Sequence, residues 1–422
     1  MSFDATTAVG LRARAAVVSR IAHESSVHAP SRLPTGPWWK YLESNFHRRP
    51  EGFELDLRDQ CRVSATAAID VAVRTVAATM VGATAVPMGF HPLKLRALFK
   101  REAAFYTDLA DTADPAAFFE PPPRPIRVSE HRATTAVFRP DDGQCVDLTF
   151  DSPFEPRNPR LRKRYLRNKR NRRAHARYWR HRDGPRPTLV CVHGFFADAF
   201  WLNTWFLALP WLYRLGCDVL LFTLPFHGPR QAPLSPFSGH GFFAGGLPRL
   251  NEAFAHAVHD LRAYIDYLQD QHQSPRIGIT GVSLGGYTSA LMAAIEPRLH
   301  LAIPNVPVTS LADLVLEWSP MGPVFRTLLR ATGQSIKDAR HLLAVASPLT
   351  YPPKLPRERL MIIAGIGDRL APPKHSRLLW DHWGRCRMHW FPGSHLLHLD
   401  KGDYLDQMAD FLHETEFLDG PS

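Results

Sequence analysis

The chain has 422 residues, a net charge of +11 and 45 % hydrophobic residues, enough apolar content for a large buried core and too much for a disordered chain. Five widely scattered cysteines (Cys61, Cys145, Cys191, Cys217, Cys386) have no paired spacing, which excludes a disulfide framework and a thiolate zinc site. The positive charge is local: residues 157–182 hold 13 Lys or Arg and no acid, which leaves the rest of the chain near −2.

In chain order, residues 1–130 read as a mainly helical extension that carries no recognisable catalytic motif. Leu11 to Ile21 has helical character, and Pro30, Pro34 and Pro37 then interrupt the chain before Trp38-Trp39. The stretch Thr75 to Leu93 has no Asp, Glu, Lys or Arg and is long enough to test as a membrane span. Thr75, Thr79, Gly82, Thr84, Pro87 and His91 interrupt it, with Asp70 and Arg74 close by, so a buried helix is expected instead. A more charged helix follows from Leu93 to Leu109, and Pro121-Pro122-Pro123-Arg124-Pro125 closes the region as an extended connector. No apolar segment follows Met-Ser-Phe-Asp closely, and reduced thiols fit the cytosol, so the expected location is cytoplasmic.

Residues 131–420 read as one catalytic unit. Thr134 to Phe138 and Cys145 to Phe150, joined through Pro140-Asp141-Asp142-Gly143, have the period and turn of a β-hairpin. Apolar strands are then expected at 187–192, 218–223, 276–282, 299–306, 360–363 and 387–391. Between them, Phe254, Val258, Leu261, Ile265 and Leu268 fall on one face of a helix. Strands that are apolar throughout and alternate with helices imply a mainly parallel sheet buried on both faces. Helical patterns at 311–318, 324–332 and 336–345 interrupt this alternation, making 307–356 an inserted helical block, placed where a lid would sit.

The chemistry centres on Gly281-Val282-Ser283-Leu284-Gly285, between an apolar strand and a small-residue helix. In such a strand-turn-helix elbow the serine hydroxyl is held clear of both elements, and flanking glycines admit the tight backbone. A serine needs a base, and the base an orienting acid. Asp368 stands in the loop directly after the strand at 360–363, with Asp313 as the alternative acid. His395 follows Phe391-Pro392-Gly393-Ser394 after the last strand, with His398 as the alternate. The amides of Leu284 and Phe195, the latter in the loop His193-Gly194-Phe195, supply two donors for an oxyanion.

From about residue 133 to 415 the chain resembles the α/β-hydrolase superfamily. His-Gly-Phe, Gly-x-Ser-x-Gly, Gly-Asp and Gly-Ser-His stand in its order, each after a strand. The resemblance implies an eight-stranded, mainly parallel sheet flanked by helices. It also implies hydrolysis of an ester or related acyl bond through Ser283, His395 and Asp368 by an acyl-enzyme, with no metal and no cofactor. The turn Pro225-Phe226-His227-Gly228-Pro229-Arg230 is similar to Pro-Phe/Tyr-Tyr-Gly-x-Arg of one branch of α/β-hydrolase-domain proteins, with His227 in place of tyrosine. An acyltransferase using the same serine, and a non-catalytic fold used for binding, are the alternatives.

For partners, Phe195, Phe196, Phe200, Trp201, Trp205 and Phe206, with Phe226, Phe242 and Phe243, suit either an apolar acyl pocket or plain packing. The basic run matches no nucleic-acid motif. Its final part, Arg172 to His181, alternates in a way compatible with a strand; for the run as a whole, attraction to an anionic membrane surface or to a phosphorylated substrate is allowed, and a solvated, mobile connection is the simplest reading.

Overall fold

The computed structural model describes residues 36–418 apart from 54, 86–91, 197–198, 244 and 399–401. The helix expected at Leu11 to Ile21 lies outside the described residues.

Among the described residues nine strands form one sheet in the order β1-β2-β3-β5-β4-β6-β7-β8-β9. They are β1 (Ser129–Arg132), β2 (Gly143–Asp151), β3 (Arg173–His181), β4 (Thr188–Val192), β5 (Asp218–Phe222), β6 (Ile277–Val282), β7 (Leu301–Asn305), β8 (Met361–Gly365) and β9 (Arg387–Phe391). Every residue of β4 to β8 is buried, as expected of strands apolar on both faces. Alternate side chains enter two cores: Val190, Leu220, Ile279 and Ile362 face one side, and Leu189, Val219, Ile303 and Ile363 the other. The pairs from β4 to β9 are parallel; β1, β2, β3 and β5 pair antiparallel.

The ninth strand corrects the expected count of eight and the expected hairpin. The partner of β2 on its outer edge is Ser129–Arg132, in register Ser129↔Thr149 to Arg132↔Val146, and 134–138 is turn and loop. Arg139 donates to the carbonyls of Thr134 and Ala136, and Arg177 Nη2 donates to Thr135 Oγ1 at 3.0 Å. These bonds draw the segment into turns.

Helices cover both faces. On one side lie α3 (Leu247–Asp270) and α4 (Leu284–Ile295); on the other, Leu209, Leu212, Met408, Phe411 and Leu412 pack from the short helix Leu209–Arg214 and from α9 (Asp403–Glu414). Helix α8 is Pro373–His382.

The extension and the insertion form a joint. The extension supplies α1 (Leu57–Ala85) and α2 (Pro92–Asp111); the insertion supplies α5 (Leu311–Glu317), α6 (Met321–Thr332) and α7 (Ile336–Ala344). Arg340 is fully buried, bonded to both carboxylate oxygens of Asp313 (2.7 and 2.8 Å) and to the carbonyls of Leu42 (2.7 Å) and Glu43 (2.9 Å). Trp39 stacks on His341 at 4.8 Å, and His341 reaches Asp111 at 3.0 Å. The block expected to be lid-like is thus fastened to the N-terminal segment.

Of the buried helix expected at Thr75 to Leu93, residues 86–91 lie outside the described residues, and α1 departs from the expectation before them. By length and composition Asp59–Ala83 is apolar enough to cross a membrane, but few of its residues are buried, and Ile69, Val73, Val76 and Met80 are exposed. Val63, Thr66, Ala67, Asp70, Ala77 and Ala78 make a narrow buried stripe at helical spacing. The helix therefore lies along the surface of the hydrolase-like unit rather than inside it.

The basic run is structured rather than a mobile connection, and the strand character of Arg172 to His181 is borne out as β3. It forms a helix at Pro159–Tyr165, a turn at Lys169–Arg172 and then β3. Tyr165 and Asn171 are buried, and acids elsewhere in the sequence pair with the cations: Arg177 with Asp147 (2.7 Å), Arg180 with Glu130 (2.9 Å) and Arg162 with Glu155 (3.2 Å).

Candidate active site

Strand order reverses at β4: the chain passes first to β5 on one side and then to β6 on the other. In an open α/β sheet this switch point leaves a crevice outside the carboxyl ends of the strands. Two loops meet there, because β4 and β6 run parallel with Val192 opposite Gly281.

Ser283 stands between β6 and α4 at φ 59°, ψ −113°, strained for a residue with a Cβ. The neighbours explain how it persists. A Cβ on Gly281 would lie 2.6 Å from the Gly285 backbone, and one on Gly285 would lie 2.0 Å from the Val192 carbonyl oxygen. A Cβ on Gly286 would lie 2.8 Å from the Asn305 oxygen. Glycine lets the start of α4 close onto β4 and β7, while the Ser283 N–H donates to Asn305 O at 3.0 Å. Ser283 remains half-buried while Val282 and Leu284 are buried.

The loop after β4 backs onto this elbow. A Cβ on Gly194 would lie 3.5 Å from Ser283 Cβ and 3.3 Å from the Val282 carbonyl. Buried His193 fixes the loop: its Nε2 accepts the Leu224 N–H at 3.1 Å, which leaves Nδ1 to donate to Gly194 O at 2.8 Å. Phe195 follows directly. Leu284 opens α4, so its N–H belongs to the first turn, where intrahelical partners are lacking. Gly194 of the β4 loop and Leu284 of α4 therefore both adjoin Ser283, and Phe195 is the next residue along that loop.

Asp368 and His395 come together after β8 and β9. His395 Nδ1 lies 2.6 Å from Asp368 Oδ2, with both side chains buried. Asp368 Oδ1 accepts the N–H groups of Leu370 (2.9 Å) and Ala371 (2.7 Å). The carboxylate thus shapes its own turn with one oxygen and holds the imidazole with the other. Burial pushes the His395 pKa down, but Asp368 and then Asp70 outweigh it, so the net shift is upward from the ordinary 6.5.

The two alternates make other contacts. Asp313 is engaged with Arg340 and Ser310. His398 packs its ring on Phe391 (4.0 Å) and Tyr404 (4.8 Å).

The expected aromatic cluster divides. Phe195 packs with Phe196 (4.0 Å), Phe243 (4.8 Å) and Phe237 (6.0 Å), and all four are half-buried beside the β4 loop. Phe226 and Phe242 are core residues, and Trp201 and Trp205 are exposed at 58 % and 67 %. The turn at 225–230 is a strut: fully buried Arg230 donates to Thr223 O (3.1 Å), Asn171 O (2.9 Å) and Asp260 Oδ2 (2.7 Å).

Sequence reasoning missed Asp70, which is fully buried on α1 and accepts the His395 N–H at 2.8 Å and the Arg369 N–H at 3.0 Å. A carboxylate on the buried stripe of an apolar helix was the available signal.

Two protein-family models match the chain: one for the alpha/beta hydrolase fold over residues 187–303, and one for the Prolyl oligopeptidase family over 252–413. Two Mycobacterium tuberculosis proteins, "Uncharacterized protein Rv2627c" of strain H37Rv and "Uncharacterized protein MT2702" of strain CDC 1551, are each 31 % identical over 330 residues. The alignments cover 75 % of this chain and 74 % of theirs. Among solved structures, acetyl xylan esterase 1 from Thermoanaerobacterium sp. aligns with a TM-score of 0.50 at 16 % identity, covering 75 % of this chain and 94 % of that one. The acetyl xylan esterase of Paenibacillus sp. R4 aligns with a TM-score of 0.51 at 14 % identity, covering 72 % and 93 %. With a nine-stranded, mainly parallel sheet, a strained serine elbow at its switch point and these matches along the same residues, the chain belongs to the α/β-hydrolase superfamily.

Proposed function

We propose that the protein is a serine hydrolase that cleaves a carboxylic ester or related acyl bond through an acyl-enzyme on Ser283. The observation that carries this reading is the strained Ser283 at the end of β6, at the same sheet edge as the buried His395–Asp368 pair. The family matches support hydrolase chemistry in general.

In this reading Ser283 Oγ adds to the substrate carbonyl carbon while His395 Nε2 takes its proton. The imidazolium so formed is held by Asp368 through Nδ1. The carbonyl electron pair moves onto oxygen, where the amides of Phe195 and Leu284 donate to it; one such donor is typically worth about 10²–10³ in kcat. Collapse of the adduct breaks the bond to the leaving group, which departs with the proton held by His395. Water, deprotonated by the same imidazole, then releases the acid and restores Ser283.

The half-buried rings of Phe195, Phe196, Phe237 and Phe243 favour an apolar acyl group over a charged one. A chain-length series of 4-nitrophenyl esters tests both parts of the proposal. The expected result is turnover that is lost in Ser283→Ala and depends on acyl length. No turnover of any ester by folded protein contradicts it.

A further inference from the structure

We propose that Asp70, on the N-terminal helix α1, is a positioning residue of the active site, one carboxylate oxygen fastening the loops that carry both His395 and Asp368. The inference rests on the serine-hydrolase reading of that site.

Asp70 is fully buried, and its Oδ2 accepts two backbone N–H groups, from His395 at 2.8 Å and from Arg369 at 3.0 Å. Arg369 is the residue next to Asp368, so a single oxygen spans the loops after β8 and β9. Oδ1 has no hydrogen-bond partner among the described residues. A buried carboxylate oxygen left unbonded is costly unless nearby charge compensates for it, and the nearest group that gains charge in the proposed reaction is the His395 ring.

The surrounding helix is shaped to the same loop. One turn beyond Asp70, Arg74 Nη1 donates to Arg369 O at 2.9 Å. Two turns before it, Val63 lies so close that a Cβ on Gly367 would sit 2.7 Å from Val63 Cγ1. The glycine before Asp368 is therefore hemmed in by the extension and, at 2.8 Å, by the Gly393 carbonyl of the His395 loop. From the insertion, Trp318 Nε1 donates to Leu370 O at 3.0 Å, which closes the loop from its other side.

The charged groups around the imidazole are Asp368 and Asp70, with Arg74, Arg369 and Glu317 beyond them. Asp368 bonds the ring, whereas Asp70 bonds the backbone of the same residue. Asp70 thus fixes where Nδ1 sits and adds a second negative charge beside a ring that becomes cationic during turnover. This makes the extension part of the working site although it carries no reacting group.

The test uses the full chain with Asp70→Asn and Asp70→Ala. Asparagine keeps an accepting oxygen and removes the charge, so it preserves the clamp if alanine unfolds the loops. With 4-nitrophenyl butyrate, Asp70→Asn is expected to lower the midpoint of the acid limb of kcat against pH by about 0.5–1 unit. It should lower kcat about tenfold with little change in KM. A second readout needs no turnover: the His395 ring is titrated by NMR in Ser283→Ala protein, where Asp70→Asn should lower its pKa by the same amount. Superimposed pH profiles and titrations overturn the inference while leaving the hydrolase reading intact. A lowered His395 titration in protein that turns over no ester upholds the action of Asp70 on His395 and removes the hydrolase reading.

Discussion

Asp368 presents its two oxygens to different tasks: Oδ2 lies 2.6 Å from His395 Nδ1, and Oδ1 accepts the N–H groups of Leu370 and Ala371. Asp368→Asn therefore keeps a group that can cap the turn while removing the charge that holds the imidazolium and the correct tautomer. The expected loss in kcat is about 10⁴-fold with the fold retained, checked by ester turnover alongside circular dichroism.

The same pair sets the pH dependence of the wild type. In the proposed mechanism His395 works as a neutral base, and its pKa is raised above the ordinary 6.5 by Asp368 and Asp70 against the opposing effect of burial. Activity should be full above that raised pKa and should fall as pH drops through it, with a midpoint above 6.5. A pH profile of kcat/KM from the free enzyme reads it directly.

Gly285 tests the elbow. A Cβ there would lie 2.0 Å from Val192 O and 2.7 Å from His193 O. Both atoms are backbone in the central strand and its loop, so they cannot turn aside. Gly285→Ala should destabilise the protein by about 3 kcal/mol or more and displace Leu284 from its place beside Ser283. Thermal unfolding with probe labelling of the folded fraction checks both.

Arg340 tests the joint between extension and insertion. Arg340→Met leaves Asp313 buried without its cation and frees the carbonyls of Leu42 and Glu43. Removing one partner of such a pair costs about 3–5 kcal/mol. Limited proteolysis should then cut within 38–49 at concentrations that spare the wild type.

Glu252 gives the extension a pH-dependent hold. Buried on α3, it accepts from Tyr106 OH at 2.7 Å, Arg157 N at 2.8 Å and Asn158 N at 3.0 Å. Burial raises its pKa from 4.5 to about 7 despite these donors. The folded state then binds the proton over a range in which the unfolded chain has released it, so this group's contribution falls as pH rises from about 4.5 to about 7. Glu252→Gln should remove that slope, read as the difference in unfolding midpoint between the two proteins at pH 5 and pH 8.

The parallel half of the fold was legible in sequence for a physical reason. Thr188–Val192, Asp218–Phe222 and Met361–Gly365 are buried on both faces, so each appears as a short apolar run bounded by turn residues. Ser283, Asp368 and His395 could be singled out as candidates because each follows such a run; the structure strains the first and pairs the other two. The edge strand Ser129–Arg132 was not: its four residues are all exposed and show no apolar alternation, and only pairing with β2 makes it a strand. Asp70 was legible only in part: a carboxylate on the apolar stripe of a helix marks a buried acid but not what it binds. Its partners stand 299 and 325 residues away, and no local pattern records a contact of that range.

Covalent labelling tests most directly whether Ser283 is a nucleophile activated by His395. After incubation with a fluorophosphonate probe, intact mass and peptide mapping should show one adduct on Ser283. The adduct should be absent in Ser283→Ala, strongly slowed in His395→Gln and unchanged in His398→Gln. A folded wild-type protein that stays unlabelled, or that is labelled equally fast in His395→Gln, would contradict the account.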